Sequence, residues 1–219
     1  MLTPNQEQEK KEIERKNELE YDVRNIVVRG MLSINEHSTI NLNKILTTNP
    51  KNSRYDPEGN FPGLVMKIEK ENIRGTGLIF TTGSLILTGI KTEAAIDPLL
   101  DQIIKNIEKT NITITDSSTE VVNIVASGTI HQKVNLDKAA LVMEQTMFEP
   151  EVFAGLIRRM RDPKIVFILF STGSFVGTGT RSRETLHQGV LKLNDEIRSK
   201  DLFYDPNRYA NESQEFAFI

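Results

Sequence analysis

Residues 78–84 read Leu-Ile-Phe-Thr-Thr-Gly-Ser, and residues 168–174 read Ile-Leu-Phe-Ser-Thr-Gly-Ser. In both copies an apolar run enters a short hydroxyl-rich turn through Phe and leaves it through Gly, the signature of a strand feeding a hairpin. Further correspondences extend on either side. Asn25-Ile26-Val27 returns as Asn123-Ile124-Val125, Pro57-Glu58 as Pro150-Glu151, Phe61-Pro62-Gly63-Leu64 as Phe153-Ala154-Gly155-Leu156, and Thr88-Gly89 as Thr178-Gly179. The spacing between partners falls from 98 through 93 and 92 to 90, so the order is kept with small insertions. Five matches in one order identify a tandem duplication. A period this long does not suit a solenoid; it fits two fused copies of a small α/β unit.

Both copies carry the same predicted elements. A strand (Val23–Leu32; Val121–Ile130) precedes a helix (Leu42–Thr48; Leu136–Met147). Three strands follow, Leu64–Glu69, Thr76–Phe80 and Leu85–Thr88, matched by Leu156–Arg161, Ile165–Phe170 and Phe175–Thr178. A long helix closes each copy, Glu93–Thr110 and Arg183–Lys200; in the latter, Leu186, Val190, Leu193 and Ile197 form one apolar stripe. Strands in quick succession with one-sided helices predict an α+β fold, an antiparallel sheet with helices on one face only. The expected organisation is a charged extension over 1–22, repeats over 23–110 and 121–202, and a tail over 203–219.

Composition removes several classes of function. The 219 residues include no Cys, which excludes disulfide frameworks, thiolate metal sites and cysteine nucleophiles. No apolar run is long enough to span a bilayer, and the charged start of the chain does not read as a secretory signal. The absence of Cys permits an intracellular, reducing compartment. His37, His131 and His187 lack metal-ligand spacing, and Gly75-Thr76-Gly77 and Gly177-Thr178-Gly179 are too short for a dinucleotide fingerprint. With no P-loop and no nucleophile elbow, the chain is expected to be neither an enzyme nor a holder of metal or cofactor. The net charge of −3 is uneven: 1–22 carries −3 and 203–219 carries −2, which leaves +2 for the segment between.

Alternation along the strands divides two faces. Ile124, Ala126, Gly128 and Ile130, with Ile165, Phe167 and Leu169, suit packing under helices. The opposite set, Asn123, Val125, Ser127 and Thr129 with Val166, Ile168 and Phe170, has no predicted helix to cover it. Burial in a dimer or under a tail accounts for such a face; so does a ligand surface with an apolar centre and polar edges.

These residues, in this order and doubled, resemble the TATA-box-binding protein family, most closely its archaeal form. The likeness covers residues 20–202 and is densest in the second copy, where Asn123–Ile130, Pro150–Ile157 and Asp162-Pro163-Lys164 follow the family pattern. It implies a saddle: a curved antiparallel sheet, helices on the convex back, and the minor groove of DNA against the concave side. It also implies roles. Phe61 and Phe80, and Phe153 and Phe170, would wedge into base steps at the two ends of the site. Asn25, Asn123, Thr88 and Thr178 would meet base acceptors, and Val27, Val125, Leu78, Ile86, Ile168 and Val176 would pack on sugars and base edges. Lys67 and Arg159 would contact phosphate. Glu149, Glu151 and Val152 would receive transcription factor B, and through it RNA polymerase. A small apolar lining with a few donors suits an A·T minor groove, which presents acceptors. The other reading of the same residues is a diverged relative that serves as a protein–protein adaptor with little autonomous DNA binding.

Several positions depart from the family pattern. Ser84 and Ser174 follow the turn glycines where Lys is usual, and Arg181 follows the second Thr-Gly, where Lys91 keeps the usual residue in the first. Each lost phosphate contact flattens the salt dependence by about 0.9 log unit, so weaker autonomous binding is expected. Arg29 stands on the DNA-facing side in place of a small residue, where it either restores a charge or obstructs the floor. The acid pair has no clear counterpart in the first copy, and Gly177 is unusual inside a strand. Residues 1–22 read as a charged helix or disordered arm. The aromatic-bearing tail (Phe203, Tyr204, Tyr209, Phe216, Phe218) reads as disordered, or as docking on the saddle or a partner.

Overall fold

The computed structural model describes residues 19–34 and 39–205. Most of the expected amino-terminal arm, His37, and the tail aromatics Tyr209, Phe216 and Phe218 lie outside the described residues. The described residues form two compact units, an amino-terminal one of 23–34 and 39–125 with 180–183, and a carboxy-terminal one of 126–179 and 184–205 with 19–22. In chain order the elements are β1 (Glu20–Ile34), α1 (Leu42–Thr48), β2 (Ser53–Arg54), β3 (Leu64–Lys70), β4 (Ile73–Ile79), β5 (Ser84–Ile90), a 3-10 turn (Glu93–Ala95) and α2 (Ile96–Glu108). Then come β6 (Ile114–Thr129), α3 (Leu136–Val142), β7 (Thr146–Glu149), β8 (Phe153–Met160), β9 (Ile165–Leu169), β10 (Ser174–Thr180) and α4 (Arg183–Ser199).

The strand order is β2-β3-β4-β5-β1 in the amino-terminal unit and β7-β8-β9-β10 in the carboxy-terminal one, with β6 belonging to the first unit through Val125 and to the second from Ala126. The fold is α+β, with antiparallel pairing between successive strands of each unit. Matching turns build the matching hairpins. Phe80 donates to Ser84 O and Gly83 to Phe80 O, as Phe170 donates to Ser174 O and Gly173 to Phe170 O. Gly83 (φ +88°) and Gly173 (φ +87°) take the left-handed conformation these three-residue loops require. The short helices start alike as well: Asn41 and Asn135 accept from the amides of Lys44 and Lys138 at 3.0 and 2.9 Å.

One sheet face carries the helices. Leu99 and Ile103 of α2 sit directly over Gly75 and Gly77 of β4, so that a Cβ on Gly77 would lie 2.5 Å from Ile103 Cδ1. In the carboxy-terminal unit Leu186, Val190, Leu193 and Ile197 of α4 are buried, and Ile165, Phe167 and Leu169 lie 1%, 0% and 0% exposed. Gly177 is explained by that packing: a Cβ there would lie 2.8 Å from the Phe167 ring. Phe167 meets Phe175 edge-on at 5.9 Å within this core. Arg158, 8% exposed, donates to Glu196 of α4 at 3.2 and 3.3 Å and satisfies its charge inside the layer.

Several boundaries differ from expectation. The helix expected over Leu136–Met147 ends at Val142: Met143 is already extended (ψ 138°) and Gln145 has φ 50°. Thr146 and Met147 are instead paired with Arg158 and Ile157 in an edge strand. The last helix of the first copy begins as a 3-10 turn and is α-helical only from Ile96. β1 starts at Glu20, inside the expected extension. At the other end, Phe203 bridges to Val134, Arg198 stacks over its ring at 5.5 Å, and Tyr204 donates to Lys133 O, so the expected tail begins as ordered chain.

Candidate nucleic-acid interface

Antiparallel registers set the residues of the uncovered face in rows. In the amino-terminal unit one row runs Arg54–Val65–Leu78–Ile86–Arg29, and the next runs Lys67–Thr76–Thr88. The carboxy-terminal unit repeats them as Met147–Ile157–Ile168–Val176 and Arg159–Val166–Thr178. Val27, Leu78, Ile86 and Thr88 are half-buried, as are Ile168, Val176 and Thr178, in strands whose alternate residues are fully buried. Asn123 and Val125 of β6 are half-buried too, on either side of buried Ile124. Aliphatic centre and hydroxyl flank recur in both units.

At one side of each row system stands a pair of phenylalanines. Phe61 and Phe80 meet edge-on at 5.7 Å, and Phe153 and Phe170 at 6.1 Å. Phe61 is 41% and Phe153 44% exposed, whereas Phe167 and Phe175 are shut in the core. The two ring pairs rest on glycines. A Cβ on Gly63 would lie 2.9 Å from the Phe61 ring and 3.0 Å from that of Phe80; on Gly155 it would lie 2.7 Å from Phe153 and 2.8 Å from Ile168. Gly63 and Gly155 are thus seats for the rings, and their signal was the Phe-x-Gly in both copies.

Asn25 is held by a bulge. Between Ile26 and Val28 the β1–β5 register slips, which brings Gly89 N–H to 2.8 Å from Asn25 Oδ1. A backbone N–H can only donate, so this bond fixes the carboxamide with oxygen toward Gly89 and leaves Nδ2 as the donor end. Nδ2 lies 3.0 Å from Thr88 Oγ1.

Lys67 and Arg159 are exposed on the strands β3 and β8, and their amides donate to Asn52 O and Gln145 O at 2.8 and 3.0 Å. Neither forms an ion pair among the described residues. These matching bonds align the two edge strands, and so the loops that follow them. Glu149 and Glu151 flank Pro150 in an exposed turn closed by Val152 N–H to Glu149 O at 2.9 Å, with Val152 81% exposed. Asp56 and Glu58 flank Pro57 in the same place in the amino-terminal unit, so the first copy does have an acid pair. The two loops differ beside it, where Arg54 stands opposite Val65 and Met147 opposite Ile157.

Arg29 is not loose on the floor. Its guanidinium lies 2.6 Å from Glu120, and Arg181 reaches the same carboxylate at 2.9 Å. Arg29 and Glu120 line a groove of about 610 Å³ with Val27, Met31, Phe80 and Ile86. Glu120 carried no sequence signal, because its partners are 91 and 61 residues away. No group of three or more metal-ligating side chains occurs among the described residues.

In each copy of this duplicated α+β chain, helices pack on one face of the strands, and the other face presents aliphatic rows, hydroxyls and a phenylalanine couple, the layout of a protein that offers a sheet surface to a ligand. The family model described as transcription factor TFIID, or TATA-binding protein, matches residues 20–110 and 118–200. The TATA-box-binding protein of Sulfurisphaera tokodaii is 40% identical over 151 residues, 68% of this chain and 75% of that one. That of Aeropyrum pernix is 32% identical over 183 residues, 83% of this chain and 86% of that one. Among solved structures, the Methanococcus jannaschii protein is similar with a TM-score of 0.72 and 32% identity, covering 82% of this chain and 99% of that one. The chain belongs to the TATA-box-binding protein family, a family of general transcription factors and not of enzymes.

Proposed function

We propose that this chain binds A/T-rich promoter DNA through the minor groove, bends it, and recruits transcription factor B and through it RNA polymerase. The observation that carries the reading is the pair of matched phenylalanine couples, each half-exposed on an uncovered apolar face and each seated on a glycine. Large rings left in water cost stability without a partner; a widened base step covers them. Inserting a ring unstacks the step at a cost of a few kcal/mol, offset by the extra surface that bent DNA presents, this family being itself a standard example.

Phe61 with Phe80 and Phe153 with Phe170 are the wedges. The rows through Leu78–Ile86 and Ile168–Val176, with Val27 and Val125, pack on sugar and base edges. Asn25, Asn123, Thr88 and Thr178 supply hydrogen bonds to the acceptors an A·T groove presents. Lys67 and Arg159 contact phosphate and set position without reading sequence. Glu149, Glu151 and Val152 form an acidic, apolar-tipped loop suited to a basic partner surface. The site of action is the compartment that holds the DNA, the cytoplasm and nucleoid in an archaeal cell. An electrophoretic titration of a TATA duplex against a G·C duplex, with and without purified transcription factor B, tests the reading. Selective retention of the TATA duplex, enhanced by the factor, supports it; equal or absent retention of both under every condition refutes it.

A further inference from the structure

We infer that Glu120 sets the DNA affinity and salt sensitivity of this chain by holding Arg29 and Arg181 away from the phosphate backbone. The inference rests on the proposed use of the uncovered face for DNA. Arg29 stands at the end of the Leu78–Ile86 row, and Glu120 lines the same groove. One carboxylate there takes a guanidinium at 2.6 Å and a second at 2.9 Å. Two positive charges gathered on one groove-lining carboxylate are therefore reduced to a net of one, and the compensating negative charge lies where a polyanion has to approach. For either guanidinium to meet a phosphate it must leave or share a charge-assisted bond.

The fold does not depend on this arrangement. The side chains of Arg29, Glu120 and Arg181 are 69%, 47% and 68% exposed, and ion pairs so exposed add little to stability. What they change is the electrostatic part of binding, in which each phosphate neutralised contributes about 0.9 to the slope of log affinity against log salt. Replacing Glu120 with Gln keeps shape and hydrogen bonding while removing the charge.

The test compares full-length wild type with Glu120→Gln on a TATA duplex at 50 and 200 mM salt, with thermal melting as a check on folding. The expected result is tighter binding at 50 mM and a steeper slope. Between those two salt concentrations the variant should lose an additional factor of about 3.5 if one arginine is released to phosphate, and about 12 if both are. An unchanged or shallower slope, or weaker binding, overturns the inference, because Glu120 would then be irrelevant to phosphate contact or would position the arginines for it. If the wild type fails to bind the duplex at either salt concentration, with and without transcription factor B, the proposed function fails first and this inference with it.

Discussion

Replacing Phe153 with Ala separates a ring kept for a ligand from a ring kept for the core. Phe153 is 44% exposed and Phe167, on the opposite face of the same sheet, is 0% exposed. Full burial of such a side chain stabilises by about 1.5–3 kcal/mol, so a ring little more than half buried contributes about 1–1.5 kcal/mol. Phe167→Ala instead leaves a cavity beside Phe175 and should cost about 3–5 kcal/mol. Urea denaturation of both variants gives the two numbers. End-to-end energy transfer on a doubly labelled TATA duplex then reads bending, which Phe153→Ala should abolish or reduce sharply at protein concentrations that saturate the DNA. The reasoning is refuted if Phe153→Ala destabilises as much as Phe167→Ala, or if it bends DNA as the wild type does.

Asn25→Asp replaces the Nδ2 donor, 3.0 Å from Thr88 Oγ1, by an acceptor while leaving Gly89 its partner, and should weaken TATA binding by about 1–3 kcal/mol in an equilibrium titration. Glu196→Ala strands the Arg158 guanidinium inside the helical layer; unfolding in urea should show a loss of about 2–4 kcal/mol, much more than from an exposed pair. Glu93 has its pKa below the ordinary 4.5: burial alone would raise it, but the hydrogen bond from Arg183, a backbone hydrogen bond and the Arg183 charge together outweigh that. Because the folded value is the lower one, this stabilisation is complete above about pH 4.5 and is lost as the pH falls through the folded value. The acid side of the melting-temperature profile should therefore flatten in Arg183→Met, and a profile identical to that of the wild type would contradict the assignment.

The duplication made much of the fold readable. A turn that needs a left-handed glycine had to appear twice, and α1 falls at Leu42–Thr48 where the sequence reading places it. What failed to show was tertiary. Leu136, Ala139, Ala140, Met143 and Met147 keep a helical period through Met147, yet pairing of Thr146 and Met147 with β8 takes the last residues into a strand. The acid pair of the first copy was within reach of the sequence, since Pro57-Glu58 matches Pro150-Glu151 and sets Asp56 against Glu149; the matching bonds to Asn52 and Gln145 make the equivalence of the two loops plain. Divergence between the copies was harder still to read. Glu93 and Arg183 occupy equivalent positions with opposite charge and bond to one another at 2.7 Å, a pairing neither copy states alone. The ring couples were visible as matched residues; that they are half in water, and that Gly63 and Gly155 seat them, required coordinates.

The central claim is that the two phenylalanine couples enter the DNA stack. Steady-state fluorescence of 2-aminopurine placed at each end step of a TATA duplex reads this directly, because the base brightens when it is unstacked. Wild-type chain should raise the emission at both end steps and leave a central step unchanged. No rise at either end, in a complex shown by gel shift to be saturated, would contradict the account.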